Sequence, residues 1–397
     1  MISPDKIDEW IREVEERPAS AELIIRYIAR RLSELAARDE ELLAQNIELL
    51  SGRKVEEYES RIASLEYQLE LLKRQLGGEV VLPIEVPSPA PIQEKINLLV
   101  YNPLGQVLRL ELDPKQVSSG QSVGRILGEA TVNEQLPNVL ATTTQDELLF
   151  IFSTGRTVRK PVTQLPLLDG EQLDWNKAYL EEPRVKEELA AIQAIGKMPL
   201  FELCIQASRR GYVKKMKTAF FTAHLEEDYI GSGVKVRADQ TCGLTFANPD
   251  DLFVMVSMEG YIFSMPAEKL PTAIEEVIQL KILDHIVSTF TVGQKPALLF
   301  ITRTGKAVHR DSHWLEPAVS FKSHGQSILT EERRKAGTQI VAAVPVEESD
   351  WGVILHNNGD LTVHHLNELI GTGSVFGNQP AQPILGMAVF HMPTQEG

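Results

Sequence analysis

Residues 148–161 read LLFIFSTGRTVRKP: an apolar run, a Thr-Gly turn, then a run that ends basic. The phrase returns at Leu298 as LLFITRTGKAVHR and at Leu203 as LCIQASRRGYVKKM. Looser copies begin at Leu98 (LLVYNPLGQVLRL), Phe253 (FVMVSMEGYIFSM) and Gly352 (GVILHNNGDLTVHH). Their turn glycines, Gly105, Gly155, Gly211, Gly260, Gly305 and Gly359, stand 45 to 56 residues apart. A period of this size marks a propeller, a solenoid or another repeat array. Inside each copy, β-branched and aromatic runs alternate with Gly, Asn, Asp and Pro, which is the strand-and-turn signature. Asn358-Gly359 is a two-residue hairpin signal, because both positions tolerate positive φ. Each repeat has a second part, such as GVKVRADQTCGLTFA at Gly233 and GTQIVAAVPV at Gly337, which reads as another strand pair. Two hairpins per repeat predict a four-stranded unit, and six units close into a ring with short protected edges. Residues 174–196, DWNKAYLEEPRVKEELAAIQAIG, break the pattern and read as a partly helical insertion.

Upstream of the repeats the period is helical. After Ser3-Pro4, which suits a helix start, Ile7, Trp10, Ile11 and Val14 recur at helical spacing. A heptad seam then runs Ile25, Ile28, Leu32, Leu35, Asp39, Leu42, Asn46, Leu49. A second seam, Val55, Tyr58, Ile62, Leu65, Leu69, Leu72, Leu76, follows the break at Ser51-Gly52. Asn46 at a core position suits a two-stranded coiled coil, so residues 1–76 are predicted to dimerise the chain; an intramolecular hairpin is the alternative. Residues 77–93 hold four prolines and read as a stiff linker, with residues 80–86 open to a strand reading. The repeat region occupies 94–393.

The chain of 397 residues carries 40 Lys and Arg against 55 Asp and Glu, a net charge of −15. That acidity argues against indiscriminate nucleic-acid binding by the whole surface, while leaving room for a local basic stripe. The two cysteines, Cys204 and Cys242, lack metal-ligand or CxxC spacing and suit small core residues in a reducing compartment. The acidic N-terminus has no signal-peptide pattern, and no apolar stretch approaches the roughly 18 residues of a membrane span, so a cytoplasmic location is expected.

The repeat phrase resembles the blades of the C-terminal domain of the DNA gyrase A protein and of its topoisomerase IV relative. Those blades share an acidic lead-in, an apolar strand, a Thr-x-x-Gly turn and a basic exit. Here Asp146-Glu147 leads LLFIFSTGRTVRK, and Arg209-Arg210-Gly211 leads YVKKMKTAFF. The resemblance implies a mainly β fold: a six-bladed β-pinwheel over residues 94–393, preceded by the α-helical coiled coil, with DNA on the outer rim. The seven-residue box Gln-Arg-Arg-Gly-Gly-Lys-Gly, with which that family wraps DNA chirally, is missing. Its nearest echoes are YIGSGVK at Tyr229 and FKSHGQS at Phe321. Neither a breakage–reunion domain with its nucleophilic tyrosine nor a P-loop is recognisable.

Phosphate binding needs Lys and Arg along a path. The third repeat offers Arg209, Arg210, Lys214, Lys215, Lys217, Lys235 and Arg237 against four acids between Leu203 and Asn248. The second offers Arg156, Arg159 and Lys160, and the fifth Arg303, Lys306, His309 and Arg310. The fourth sets Lys269 and Lys281 against seven acids, and no Lys or Arg follows Lys335. Alternation puts Lys215 and Lys217 on one strand face and Lys214 with Met216 on the other. The alternative is that these charges only solvate hairpin edges. Tyr212, Phe220, Phe221 and Tyr261 suit gaps between blades better than base stacking. His309 with His313, and His364 with His365, make no convincing metal pair, and no cofactor is expected. The expected function is non-catalytic binding or bending of double-stranded DNA over part of the rim; the alternative is a protein-interaction scaffold, since residues 77–397 carry a net −10.

Overall fold

The computed structural model describes Ile25 and residues 94–112, 117–127, 137–168, 172–236, 239–293, 297–347, 349–377 and 382–391. The chain divides into two units, Met1–Ser88 and Pro89–Gly397. Apart from helical Ile25, the heptad seams and the linker lie outside the described residues. Everything below concerns the second unit.

Six repeats follow one another. The first gives β1 (Ile96–Tyr101), β2 (Gln106–Leu112), β3 (Gln121–Leu127) and β4 (Asn138–Thr143). The second gives β5 (Glu147–Phe152), β6 (Thr157–Pro161), β7 (Gln172–Asp174), β8 (Tyr179–Leu180) and β9 (Leu189–Ala194). The third gives β10 (Leu203–Ser208), β11 (Tyr212–Lys217), helix α1 (Thr218–Glu226) and β12 (Thr241–Ala247). The fourth gives β13 (Leu252–Ser257), β14 (Tyr261–Pro266), β15 (Glu275–Glu276) and β16 (Ile286–Thr291). The fifth gives β17 (Ala297–Thr302), β18 (Ala307–Asp311), β19 (Gln326–Ser327), α2 (Glu331–Lys335) and β20 (Ile340–Val346). The sixth gives β21 (Asp350–His356), β22 (Asp360–His365), α3 (Leu366–Thr372) and β23 (Ile384–His391).

Each repeat builds a blade whose middle strand is the apolar run of the phrase. In β5 the side chains of Leu148, Phe150 and Phe152 pack with Leu99 and Tyr101 of blade one, while Leu149 and Ile151 pack with Cys204 of blade three. The same split recurs around the ring: Val254 and Val256 meet Leu298 and Phe300, and Leu299 and Ile301 meet Ile354. Leu98 and Val100 meet Val353 and Leu355, so blade one closes on blade six. A strand covered on both faces shows no alternation, which is why the phrase reads LLFIF. Each such fully buried Leu, Ile or Phe contributes roughly 1.5–3 kcal/mol of hydrophobic stabilisation. The acidic lead-in has a local cause. Asp146 takes Thr143 N (2.9 Å) and Thr142 Oγ1 (2.7 Å) on Oδ2, and Asp251 takes Asn248 N at 2.7 Å, so each carboxylate caps the turn into its blade.

The predicted second hairpin per blade is corrected. Each repeat keeps three strands and passes its fourth segment to the preceding blade. β8 pairs with β2, β15 with β11, β19 with β14, and β3 with β22. In the two remaining blades the segment makes one bridge, Tyr229 to Arg156 and Ser374 to Lys306. The β3–β22 pairing joins the first repeat to the last and closes the ring; the strand reading of residues 80–86 lies outside the described residues. Residues 174–196 are also corrected: they supply the donated β8 and the inner strand β9, with one 3-10 turn at Trp175–Lys177, and are no insertion.

All six turn glycines serve this exchange. Their φ angles lie between +82° and +93°, a region costly for other residues. Their carbonyls accept N–H groups of Glu181, Ile230, Val277, Ile328, Val375 and Ile126 at 2.8–3.0 Å, each from the next repeat. A Cβ on Gly105 would lie 2.1 Å from Glu181 O, and one on Gly155 2.3 Å from Gly231 C. The two box echoes fall in this device: Tyr229 and Gln326-Ser327 belong to donated segments.

Candidate nucleic-acid interface

The fourth residue after each turn glycine is Arg109, Arg159, Lys215, Ser264, His309 and Val363 in chain order. Three of these polar side chains are consumed between blades. Arg109 gives Nη1 to Val162 O (3.1 Å) and Leu165 O (2.9 Å), and Nε to Asn97 Oδ1 (2.7 Å). Lys215 gives Nζ to Ala267 O (3.4 Å) and to Glu268 O, and Ser264 gives Oγ to Glu316 O (3.2 Å). The acceptors lie on or just after 3-10 turns of the next blade, at Val162–Gln164, Ala267–Lys269 and Ser312–Trp314. Val162 O and Ala267 O already close their turns by accepting Leu165 N and Leu270 N, and the strand cation adds a second donor to each. Burial holds the Lys215 ammonium below its ordinary pKa, against a smaller opposing effect of Glu268.

Blades three and six break this rule. There an α-helix follows the second strand directly, α1 after β11 and α3 after β22. α1 lays Phe221 and Leu225 on Leu149 and Ile151 of blade two, and α3 lays Leu366 and Leu369 on Leu299 and Ile301 of blade five. The cover is apolar and offers no carbonyl to the fourth residue. Arg159 and His309 are therefore exposed. Beyond their single bridges, β6 and β18 are also the edge strands of three-stranded sheets.

The third blade, richest in predicted phosphate ligands, uses three of its seven cations internally. Arg210 gives Nη1 to the carbonyls of Lys281 (3.0 Å), Ile282 (3.1 Å) and Asp284 (2.5 Å), locking that loop onto the blade-three turn. Lys214 gives Nζ to Ile230 O at 3.1 Å, and burial lowers its pKa. Met216, on the same strand face, packs toward blade two, so the predicted alternation holds and its consequence is two buried directions. Lys217 and Lys235 are exposed, and Arg237 lies outside the described residues. Arg209 lines a cavity at the ring axis.

In blade two, Arg156 pairs with Glu187 (Nη2 to Oε2, 2.7 Å) and stacks 3.7 Å from the Phe152 ring centroid. Burial alone would raise the Glu187 pKa, but Arg156, Thr154 and the Arg184 N–H outweigh it and hold the carboxyl below its ordinary range. Lys160 is half-buried beside Tyr179 and Glu181, at 3.3 Å from the carboxylate. Its pKa is raised, first by the Tyr179 hydroxyl. Arg159 has no side-chain partner among the described residues. In blade five, Lys306 is exposed and equally unpartnered there, Arg310 bonds its neighbour's carbonyl, His309 O, at 2.8 Å and lies 5.7 Å from the Trp314 ring centroid, and Arg303 reaches Gln339 Oε1 at 3.2 Å.

Of the predicted cations, the open ones at the blade edges thus come down to Arg159, Lys217, Lys235, Lys306 and Arg310, with Arg303 lightly held, while Arg209 is open at the axial cavity. Exposed Arg184 and Lys186, in the loop before β9, carry no signal in the sequence because they stand outside the phrase's basic tail. Of the aromatics, Phe221 is core and Phe220 is 65% exposed, while Tyr261 sits between Lys281 and Arg334. His364 is buried and bonds Thr362 Oγ1 at 2.9 Å; burial pushes its pKa down to about 4. Cys204 and Cys242 are free thiols. No helix among the described residues is long and apolar enough to cross a membrane.

No family model matches the chain. A DNA gyrase A protein from Nocardioides sp. (strain ATCC BAA-499 / JS614) is 25% identical over 128 residues, which is 32% of this chain and 14% of that protein. The solved DNA gyrase A C-terminal domain aligns over 74% of this chain and 99% of its own, at 15% identity and a TM-score of 0.57. The C-terminal domain of DNA topoisomerase IV aligns over 76% and 94%, at 18% identity and a TM-score of 0.48. Six blades, each lending a segment to its predecessor around a closed ring, together with the gyrase match, give this chain the β-pinwheel fold of the gyrase A C-terminal domain.

Proposed function

We propose that the pinwheel is a non-catalytic binder of duplex DNA that holds the phosphate backbone along the open edges of blades two and five. The observation that carries this reading is the exposure of Arg159, Lys306 and Arg310 on or beside edge strands, with no carboxylate partner among the described residues. Phosphate contacts of this kind position a duplex without reading its sequence, and bending follows where contacts lie on separated blades. Dimerisation through the heptad segment would offer two rims to one duplex and raise apparent affinity through effective concentration. Action would then be in the cytoplasm, at the nucleoid. Titrating a labelled duplex with the full chain at low salt tests the reading. Wild type should bind, and Arg159→Glu with Arg310→Glu should remove binding while the melting temperature stays put. Unchanged binding by that double variant would refute it.

A protein-interaction scaffold is the second reading. It is favoured by one observation: Arg156, Arg210, Lys214 and Lys215 all hold protein groups. Failure of wild type to bind any duplex at low salt would select it.

A further inference from the structure

The third strands β4, β9, β12, β16, β20 and β23 neighbour one another in a closed inner ring. At the end where they begin, a cavity of 410 Å³ lies on the ring axis. That volume falls within the range of small-molecule pockets. Its walls are mixed. Leu189, Ile286, Val287, Val341 and Leu385, from the starts of four inner strands, give an apolar lining. Arg209, His285 and Asn138 add polar groups to that lining.

The charged side chain in the lining is the Arg209 cation, with Asp239 and Glu188 behind the lining residues Cys242 and Gln240. Among the described residues, no carboxylate lines it. The Arg209 guanidinium is exposed at the mouth and has no side-chain partner among those residues, unlike Arg210 beside it. Its position is fixed from the backbone: Arg209 N donates to Gln240 O at 2.8 Å, and Arg209 O accepts Ile286 N at 2.8 Å. Neighbouring acids are engaged in part: the buried Asp239 Oδ2 has no hydrogen-bond partner among the described residues. Asp239 Oδ1 takes Arg210 N and Gln240 N, and Glu188 takes Gln240 Nε2 at 2.7 Å. The His285 imidazole is close enough to Arg209 to feel its charge, and its pKa is lowered, first by burial. The ring is thus neutral near pH 7 and able to accept or donate one hydrogen bond. The Cys242 thiol, pushed up to about 12 chiefly by burial, is no nucleophile here.

We infer that this axial cavity binds a small organic anion, with its carboxylate or phosphate on Arg209 and His285 and its apolar body against Ile286, Leu189 and Leu385. A guanidinium with free N–H donors suits either oxyanion in a two-bonded geometry. A cavity of 410 Å³ excludes a duplex, so this site is separate from the rim. The inference stands without the DNA reading.

The test is calorimetric titration of the full chain with benzoate, phenyl phosphate and benzyl alcohol, the last sharing the ring but not the charge. Wild type should bind at least one of the two anions, and about tenfold or more tighter than the alcohol. Arg209→Gln should remove that preference, and Arg209→Lys should retain part of it. Arg159→Gln should bind as wild type, and saturating duplex should leave the anion affinity unchanged. Three results would overturn the site: neither anion binding to folded wild type, equal binding by Arg209→Gln, or displacement of the anion by duplex. A folded Arg209→Lys chain keeps the test decisive if the glutamine variant fails to fold.

Discussion

Blades two and three carry the same phrase with the same basic tail, yet they spend it differently. In blade three, Lys215 reaches across to carbonyls of the next blade's 3-10 turn and Lys214 to the carbonyl of Ile230. In blade two the matching Arg159 points to solvent, because the next blade presents the apolar side of α1 instead of a carbonyl-ended turn. Blade five repeats the arrangement of blade two under α3. A cation's availability for a ligand is therefore decided one blade away, by the element that follows the neighbour's second strand.

The largest effect expected from breaking this comparison is inside blade two. Arg156→Ala leaves the Glu187 carboxylate, 1% exposed, without its cation. A loss of about 3–5 kcal/mol is expected in a denaturant melt. Because the folded Glu187 pKa is depressed, its contribution is present above the ordinary carboxylate range and is lost as pH falls through the folded value. The gap between wild type and Arg156→Ala should narrow on acidification; a gap independent of pH would assign the effect to lost Phe152 stacking alone.

Next come the turn glycines, where the two blades should behave alike. Gly155→Ala and Gly211→Ala put a Cβ 2.3 Å from Gly231 C and 2.6 Å from Ile278 Cγ2, at φ +93° and +86°. Left-handed strain and overpacking together should cost about 2–4 kcal/mol. Gly120→Ala, at φ +81° with nothing within 4 Å, should show only the strain, about 1–2 kcal/mol. Equal losses at all three would mean that the donated segments do not clasp the turns.

The smallest effects separate the two blades most cleanly. Lys215→Ala leaves the Ala267 and Glu268 carbonyls short of a donor and should cost about 1–2 kcal/mol. Arg159→Ala should stay within about 0.5 kcal/mol of wild type, as an exposed side chain with no partner among the described residues.

Much of this was legible in the sequence. The glycine period marked six blades, and the unbroken run LLFIF marked a strand buried on both faces. The destination of the fourth strand was not legible. β8, β15 and β19 are only two residues long in this chain, and nothing local says which blade they join. The basic tail was legible as composition and misleading as a site. Alternation correctly separated Lys214 from Lys215, but both faces of β11 are occupied by neighbours. Arg210 stands in a turn, where solvent was the natural expectation, and its partners come from a loop some 70 residues later.

The most direct measurement is the salt dependence of duplex affinity in two double variants. Each cation withdrawn from a phosphate lowers the slope of log K against log salt by about 0.9. Arg159→Gln with Arg310→Gln should flatten the slope by about 2, whereas Lys214→Gln with Lys215→Gln, checked to be folded, should leave it unchanged. The reverse outcome, with the blade-three lysines setting the slope and the edge arginines silent, would contradict the account.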